Sequence, residues 1–416
     1  MDNLKKNTRS NWKMLFALIF AGEMIFSLPF HVARFFRPAL LENLSLSNTE
    51  LGDTFAIYGI IAMLCYFPGG IIADYFSAKR LLTFSLIATA LGGLVFIQFP
   101  TGFELKLLFG YWGFTSVLLF WAGMIKATRE WGGSNKQGKA FGLLDGGRGL
   151  VAAIMSSIAV IFFSFAINES NSELIQANPR SLQSVIVFYT FITLLAALFT
   201  WMFIPEIHDK SERAQPWIGV QQSIRSSKIW LQSLIVICAY SGFKGADNYG
   251  LYAVQVLSMD QVESASFTSA TAYLRPIGAI LAGFLADRFS ARRVTIVSFA
   301  LLTVLYGLLA ITWSPGILFY LAMFNLIFSY VAVFALRGVY FALMQESKIP
   351  LKQTGAAVGI VSLIGYTPDI FFAPISGRLL DMAPGAQGFQ YYFTLMMSIA
   401  VIGLVASFIL NRKNLR

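Results

Sequence analysis

Six basic residues, Arg34, Arg37, Arg148, Lys244, Arg275 and Arg337, fall inside long apolar runs, together with the acids Glu23, Asp53, Asp145, Asp247 and Asp369. An ionisable group in such a run is costly, so it faces a wet cavity or pairs with a partner. A guanidinium offers a planar fork of donors that matches carboxylate, phosphate or sulfonate oxygens, so the chemistry on offer is recognition of a small oxyanion. At ~1.5 Å of rise per residue, Arg148, Lys244 and Arg275 lie roughly 15–24 Å from the inner ends of their runs, near the middle of a bilayer. Arg34 and His31 sit towards the outside, and Arg337 lower. Arg275 has no acid within four residues, and Tyr273 precedes it. Pro276 follows, removes a backbone hydrogen bond and loosens the helix there. The other two keep a second reading open: Asp145 precedes Arg148 by three, and Lys244 precedes Asp247 by three, so each pair shares a helix face and can neutralise itself. Substrate-binding candidates are therefore Arg275, Lys244, Arg148 and Arg34, with Tyr273 and Tyr240; Tyr249 and Tyr252 are further candidates for a cavity wall. Glu23, ten residues into its run beside Gly22, is either a proton carrier or the partner of a neighbouring helix. His31, Asp145, Asp247 and Asp369 complete the candidate proton-coupling set.

These residues need elements that hold them inside a membrane. The chain has 416 residues, 56% hydrophobic and only 12% charged, where a soluble domain carries roughly 25% charged. Apolar runs recur that reach the ~20 residues a helix needs to cross a bilayer. They read as twelve spans, at 13–41, 48–72, 80–99, 103–127, 138–163, 183–204, 228–257, 263–286, 292–313, 316–345, 353–377 and 388–410. The runs are continuously apolar instead of alternating, which excludes a β-barrel. Ser47 with Glu50 three residues on predicts a capping box at the start of the second span. The basic start, Lys5 to Lys13, leads into a run too long for a signal peptide and reads as the first span.

Charge placement gives the topology. Of the 31 Lys and Arg, 22 lie in the two tails and the even-to-odd connections, three (Lys106, Arg180, Arg378) in the opposite loops, and six in the spans. This bias predicts both termini in the cytoplasm, and it explains the net charge of +10 without a nucleic-acid partner. Two cysteines, Cys65 and Cys238, both within apolar runs, and two histidines leave no disulfide framework and no metal site.

The chain also repeats itself. GIIADYFSAKR at 70–80 and GFLADRFSARR at 283–293 share seven of eleven positions at an offset of 213, and weaker matches at 216–217 pair Glu130 with Glu346, and Gly138, Ala140 and Gly142 with Gly355, Ala357 and Gly359. The reading is an all-α integral membrane protein of two six-helix halves, 1–204 and 228–416, joined by a polar segment at 205–227; such halves place a substrate site near the bilayer midplane. The doubled G-x-x-A-D-x-x-S-x-[KR]-R loop closely resembles the loop motif of the major facilitator superfamily, with Ser77 and Ser290 where its Gly usually stands. Arg34 followed by a turn into TELG (49–52) looks like the organophosphate/phosphate exchangers, and the glycine-rich GLLDGGRGL (142–150) is loosely similar to the related organic-anion branch. The resemblance implies twelve helices and transport by alternating access.

Other motifs are weighed on that frame. Asp74, Arg80, Asp287 and Arg293 in the repeated loops, with Glu130 and Glu346 at matching span ends, read as a gating set: a carboxylate there pairs with a neighbouring Arg or a helix N-terminus. GSNKQGK (133–139) lacks the final Ser/Thr and preceding strand of a P-loop, so no nucleotide site follows. Glycines at 138, 142, 146 and 149, and at 355 and 359, read as close helix packing. Gly242, Gly245 and Gly250 interrupt the seventh span and let its outer half bend. Trp12, Trp112 and Trp313 read as an interfacial belt.

The reading of function is a secondary active transporter and not an enzyme. It works as a monomer in the bacterial inner membrane, without cofactor or metal, and moves a small organic anion (phosphate ester, carboxylate or sulfonate) by proton symport or exchange with a counter-anion. Two alternatives stay open: a proton-coupled exporter of hydrophobic or cationic compounds, with Glu23 and Asp369 as ligands, and a membrane solute sensor that moves nothing.

Overall fold

In the computed structural model, residues 12–132, 137–168, 179–206, 225–311, 315–340, 342–343 and 359–415 are described. Glu346, Trp313, Gly355, the loop 133–136 and most of the 205–227 segment lie outside them, as does the side chain of Asp74. The described residues are helical, with no strand among them. Eleven helices are long and apolar enough to cross a membrane, and a bent pair, Trp12–Met24 with Ser27–Phe35, supplies the twelfth as the first span. The later spans are Asn48–Ala73, Ala78–Phe96, Gly102–Gly132, Ala140–Ile167, Pro179–Phe203, Ser227–Gln255, Gln261–Arg288, Ala291–Leu309, Phe319–Val339, Gly359–Met382 and Ala386–Arg412. The all-helical, twelve-span fold expected from the apolar runs is present, with limits that move by a few residues. Arg378, counted as a loop residue above, sits inside the eleventh span.

Three spans are broken where the sequence supplies a cause. The first bends by 43° ahead of a π-helical turn, Ser27–His31, that contains Pro29; a proline cannot donate to the preceding turn. The seventh gives way at Gly245 to a 3₁₀ turn, Ala246–Asn248, before helix resumes at Tyr249. The eighth is interrupted at Tyr273, between helices Gln261–Ala272 and Leu274–Arg288, three residues ahead of Pro276. The predicted capping box is formed: Ser47 N donates to Glu50 Oε2 (2.9 Å), and Glu50 N donates to Ser47 Oγ (3.1 Å).

The contacts divide the chain into two units, residues 1–44 with 57–210, and 45–56 with 211–416. In the first, apolar side chains of the first, third, fourth, fifth and sixth spans, among them Leu18, Leu82, Phe120, Leu144 and Ala196, form one core. Gly147 is the close-packing glycine of the fifth span, since a Cβ there would stand 2.6 Å from Ile19 Cδ1. Gly142 and Gly146 face open space while Gly149 is buried: the close approach to Ile19 falls to Gly147, beside the predicted repeat, because a glycine repeat marks a helix face without saying which neighbour meets it. Trp112 is also not a belt residue. It is wholly buried, ten residues into its span, and donates through Nε1 to Thr89 O at 3.0 Å.

In the second unit the first turns of the second span dock on the eleventh. Asp381 accepts from Asn48 N (3.1 Å), Asn48 Nδ2 (3.0 Å) and Thr49 N (2.7 Å), capping that helix N-terminus. Arg378 meets Asp53 through two parallel hydrogen bonds, at 2.8 and 3.3 Å. The approach is backbone to backbone, for a Cβ on Gly377 would lie 2.3 Å from Asn48 O.

Candidate functional site

The first unit gathers its charges around Glu23. This buried carboxylate has Oε1 3.2 Å from His31 Nε2 and Oε2 3.1 Å from Arg148 Nε. Glu23 and His31 are eight residues apart, about 12 Å of rise in a regular helix, and the bend of the first span lies between them. Arg148 reaches Glu23 past Gly22, where a Cβ would stand 3.2 Å from Arg148 Cδ. The bend frees the carbonyl of Met24, which accepts from Ser27 Oγ (2.7 Å) and from Thr193 Oγ1 (3.3 Å) of the sixth span. Phe26 lies under the Arg148 guanidinium at 5.6 Å, and Tyr189 stands edge-on to His31 at 5.7 Å.

Spacing along the helix had offered Asp145 as the partner of Arg148. Asp145 is 4.0 Å away with half of its side chain exposed, and Glu23 is closer. The contact of Glu23 with a neighbouring helix is formed, through Arg148.

The second unit repeats this theme. Lys244 Nζ lies 3.2 Å from Asp369 Oδ1 and 3.9 Å from Asp247 Oδ2, so the interhelical acid again stands nearer than the one three residues along. Tyr240 Oη donates to both oxygens of Asp369 at 3.1 Å, and the Phe55 ring lies 5.3 Å from Lys244 Nζ. Beside this cluster two guanidiniums share one ring: Arg275 and Arg337 stand 5.6 and 5.8 Å from the centre of Phe334. Arg337 also lies 4.0 Å over Phe243 and 5.9 Å from Tyr240, and Tyr366 packs on Tyr240 at 4.8 Å. Cations held on aromatic faces are attracted by the negative face of the ring, and the buried Lys244 lies close by. Of the predicted residues, Lys244, Tyr240 and Asp369 meet, and Arg275 lies in the same unit on the Phe334 ring.

Others are placed elsewhere. Tyr249 is buried and bonds Ser329 Oγ at 2.7 Å, and Tyr252 packs between Phe389 and Phe393, so both serve the helix core. Tyr273 is exposed, while Arg34 and Arg37 are buried. At the repeated loops, Ser77 and Ser290 cap the next helices by accepting from Arg80 N (3.4 Å) and Arg293 N (3.3 Å). Arg80 pairs with Glu206 at the end of the sixth span, a residue missed because it lies far off in sequence. Lys126, also missed, caps the second span through Ala73 O at 2.9 Å. Asp287 and Arg293 are exposed, and Glu130 is partly buried.

Comparison with known proteins agrees with this architecture. A description of the Major Facilitator Superfamily matches residues 15–373. Inner membrane protein YqcE of Escherichia coli (strain K12) is 26% identical over 97% of this chain and 95% of its own length. Inner membrane protein YihN of the same organism is 25% identical over 98% and 96%. The probable nitrate/nitrite antiporter NarK1 of Thermus thermophilus is 22% identical over 71% and 64%. Among solved structures, the nucleoside transporter NupG superposes with a TM-score of 0.72 at 14% identity over 97% of this chain and 99% of that one. A bacterial homolog of the human lysosomal transporter Spinster gives 0.75 at 15% over 98% of each. The chain is a multi-pass membrane protein that belongs to the Major Facilitator Superfamily.

Proposed function

We propose that the protein is a secondary active transporter of a small organic anion, a phosphate ester, carboxylate or sulfonate, in the inner membrane. Both termini face the cytoplasm, and the halves 1–204 and 228–416 are the bodies that alternate. The observation that carries the anionic substrate is the gathering of cations in the second unit, where Arg275 and Arg337 stand 5.6 and 5.8 Å from Phe334 and Arg337 lies 5.9 Å from the Tyr240 ring, whose hydroxyl meets the acid that pairs with Lys244. Guanidinium forks match the oxygens of a carboxylate, phosphate or sulfonate. The aromatic faces beside Arg275 and Arg337 supply the apolar wall that a small organic molecule needs. Arg275, Lys244, Arg148 and Arg34 are the proposed anion-binding cations, with Tyr240 and Tyr273. Glu23, His31, Asp145, Asp247 and Asp369 are the proposed proton-coupling groups. Asp74, Arg80, Glu130, Asp287, Arg293 and Glu346 are the proposed gate.

The test is uptake into liposomes that contain the purified protein, with labelled phosphate esters, carboxylates and sulfonates set against labelled organic cations. Uptake of at least one anion, lost in Arg275→Ala, is the expected result. Transport confined to cations or uncharged apolar compounds overturns the reading.

A further inference from the structure

We propose that Asp369 is a built-in competitor for the substrate at Lys244: the incoming anion takes Lys244 from Asp369, and the displaced carboxylate takes up a proton. This rests on the anion-carrier reading and deepens it, because it selects symport over exchange and names the group that carries the proton.

The geometry makes Asp369 the partner able to leave. In the pair, the Lys244 side chain is 4% exposed and that of Asp369 19%, so the cation is fixed in the interior while the carboxylate lies on the more accessible side. Asp369 lies in the first turn of the helix Pro368–Met382, directly after a turn at 366–367 that interrupts the eleventh span. Tyr240 holds both carboxylate oxygens through one neutral hydroxyl, a contact that a protonated acid retains. Arg337 and Phe243 flank Tyr240 and offer a second cation to a bound oxyanion.

Among the described residues, these groups face Asp369 or its partners. The seventh span contributes Lys244, Tyr240 and Asp247. Its own span contributes Tyr366, whose hydroxyl lies 3.4 Å from that of Tyr340, and the tenth contributes Arg337 over the Tyr240 ring. The twelfth carries no charged residue between 386 and 411. In the second span Asp53 is taken up by Arg378 and Glu50 by the cap at Ser47. An anion on Lys244 therefore adds a third negative group to a site that already holds Asp247 and Asp369. A carboxylate left without its cation in a membrane interior neutralises itself instead of staying charged. The proton comes from water on the side the substrate enters, bonds to a carboxylate oxygen of Asp369, and leaves when Lys244 recaptures that carboxylate after release. One monoanion and one proton move together, with no net charge.

The experiment uses the purified full chain, with sulfate, methanesulfonate and acetate as probes, none of which titrates between about pH 6 and 8. Binding of a probe to the wild type should take up about one proton, read with a pH indicator in weak buffer, and its affinity should fall up to tenfold for each unit rise in pH. Asp369→Asn should bind the same probe at least tenfold more tightly at the upper end of that range, with no pH slope and no proton uptake. Asp369→Glu should keep both. Binding to the wild type without proton uptake overturns the inference even if Asp369→Asn does not fold, and leaves the anion-carrier reading standing. So does an Asp369→Asn protein that is folded but binds no tighter. If no probe and no labelled anion binds either protein, the anion-carrier reading itself falls, and the inference with it.

Discussion

Lys244 stands 221 residues after Glu23 with the opposite charge, and the partner of each keeps the same separation, Asp369 lying 221 after Arg148. Each unit thus ties its first span to its fifth by one ion pair, with the polarity reversed between the two. In both, the residue just beyond the charge begins a helix break, and its freed carbonyl is held by a hydroxyl from the last span of that half. Thr193 Oγ1 holds Met24 O at 3.3 Å, and Tyr392 Oη holds Gly245 O at 2.7 Å. The repeat keeps the position of the helix break and its hydroxyl contact, while the sign of the charge is inverted.

Arg148→Met should destabilise the protein by about 3–5 kcal/mol, because it removes the guanidinium that neutralises the buried Glu23, and adding Glu23→Gln should restore most of the loss. Thermal unfolding of the purified protein reads both. Glu23→Lys with Arg148→Asp, which copies the polarity of the other unit, should still fold. A single Arg148→Met protein as stable as the wild type would mean that the pair is not formed.

Arg275→Lys keeps a charge but loses the planar fork, and should weaken binding of the transported anion by about tenfold or more. Arg275→Ala should abolish it while the protein still inserts and elutes as a single species. Normal binding by Arg275→Ala would reduce Arg275 to a packing residue on Phe334 and shift the anion site to Lys244, Arg148 and Arg34.

Asp381→Ala removes the cap of the second span and should cost about 0.5–2 kcal/mol, as loss of a helix N-cap does. Gly377→Val should cost more, since the added side chain meets the Asn48 carbonyl and no flexible group can give way. Melting temperatures should fall in that order, with Gly377→Val lower.

The two loop serines should respond oppositely to glycine. Ser290 caps its helix at φ 152°, ψ 150°, a region that belongs to glycine and costs a residue with a side chain about 1–3 kcal/mol. Ser77 makes the same cap at φ −67°. Ser290→Gly gives up only a few tenths of a kcal/mol of capping and should raise the melting temperature, whereas Ser77→Gly should lower it slightly.

A reporter fused after Lys210 should be active only as a cytoplasmic fusion, and one placed after Gly102 only as an external one, as the distribution of basic residues requires. Activity of the Lys210 fusion outside the cell would invert the whole topology.

Twelve spans, the repeat and the capping box at Ser47 were all legible in the residues, because each depends on neighbours within a turn or two: apolar length, a copied loop, a three-residue spacing. The hinge at Gly245 and the interruption beside Pro276 were legible for the same reason. The candidate site residues were legible as types, since a charge in an apolar run announces itself by its cost. Their partners were not. Reading along one helix gave Asp145 to Arg148 and Asp247 to Lys244, yet the packed bundle gives Glu23 and Asp369, at 3.1 and 3.2 Å against 4.0 and 3.9 Å. An acid three residues away shares a face but rises in parallel with its neighbour, whereas a facing helix can present its carboxylate end-on. Which helix faces which, and in what register, is set by the packing of whole surfaces: Gly22 and Gly147 admit Arg148 and Ile19, and no local spacing encodes that. The Glu206 partner of Arg80 and the placing of Arg275 on Phe334, one turn from Arg337, were decided in the same way, by tertiary contact between residues far apart in the chain.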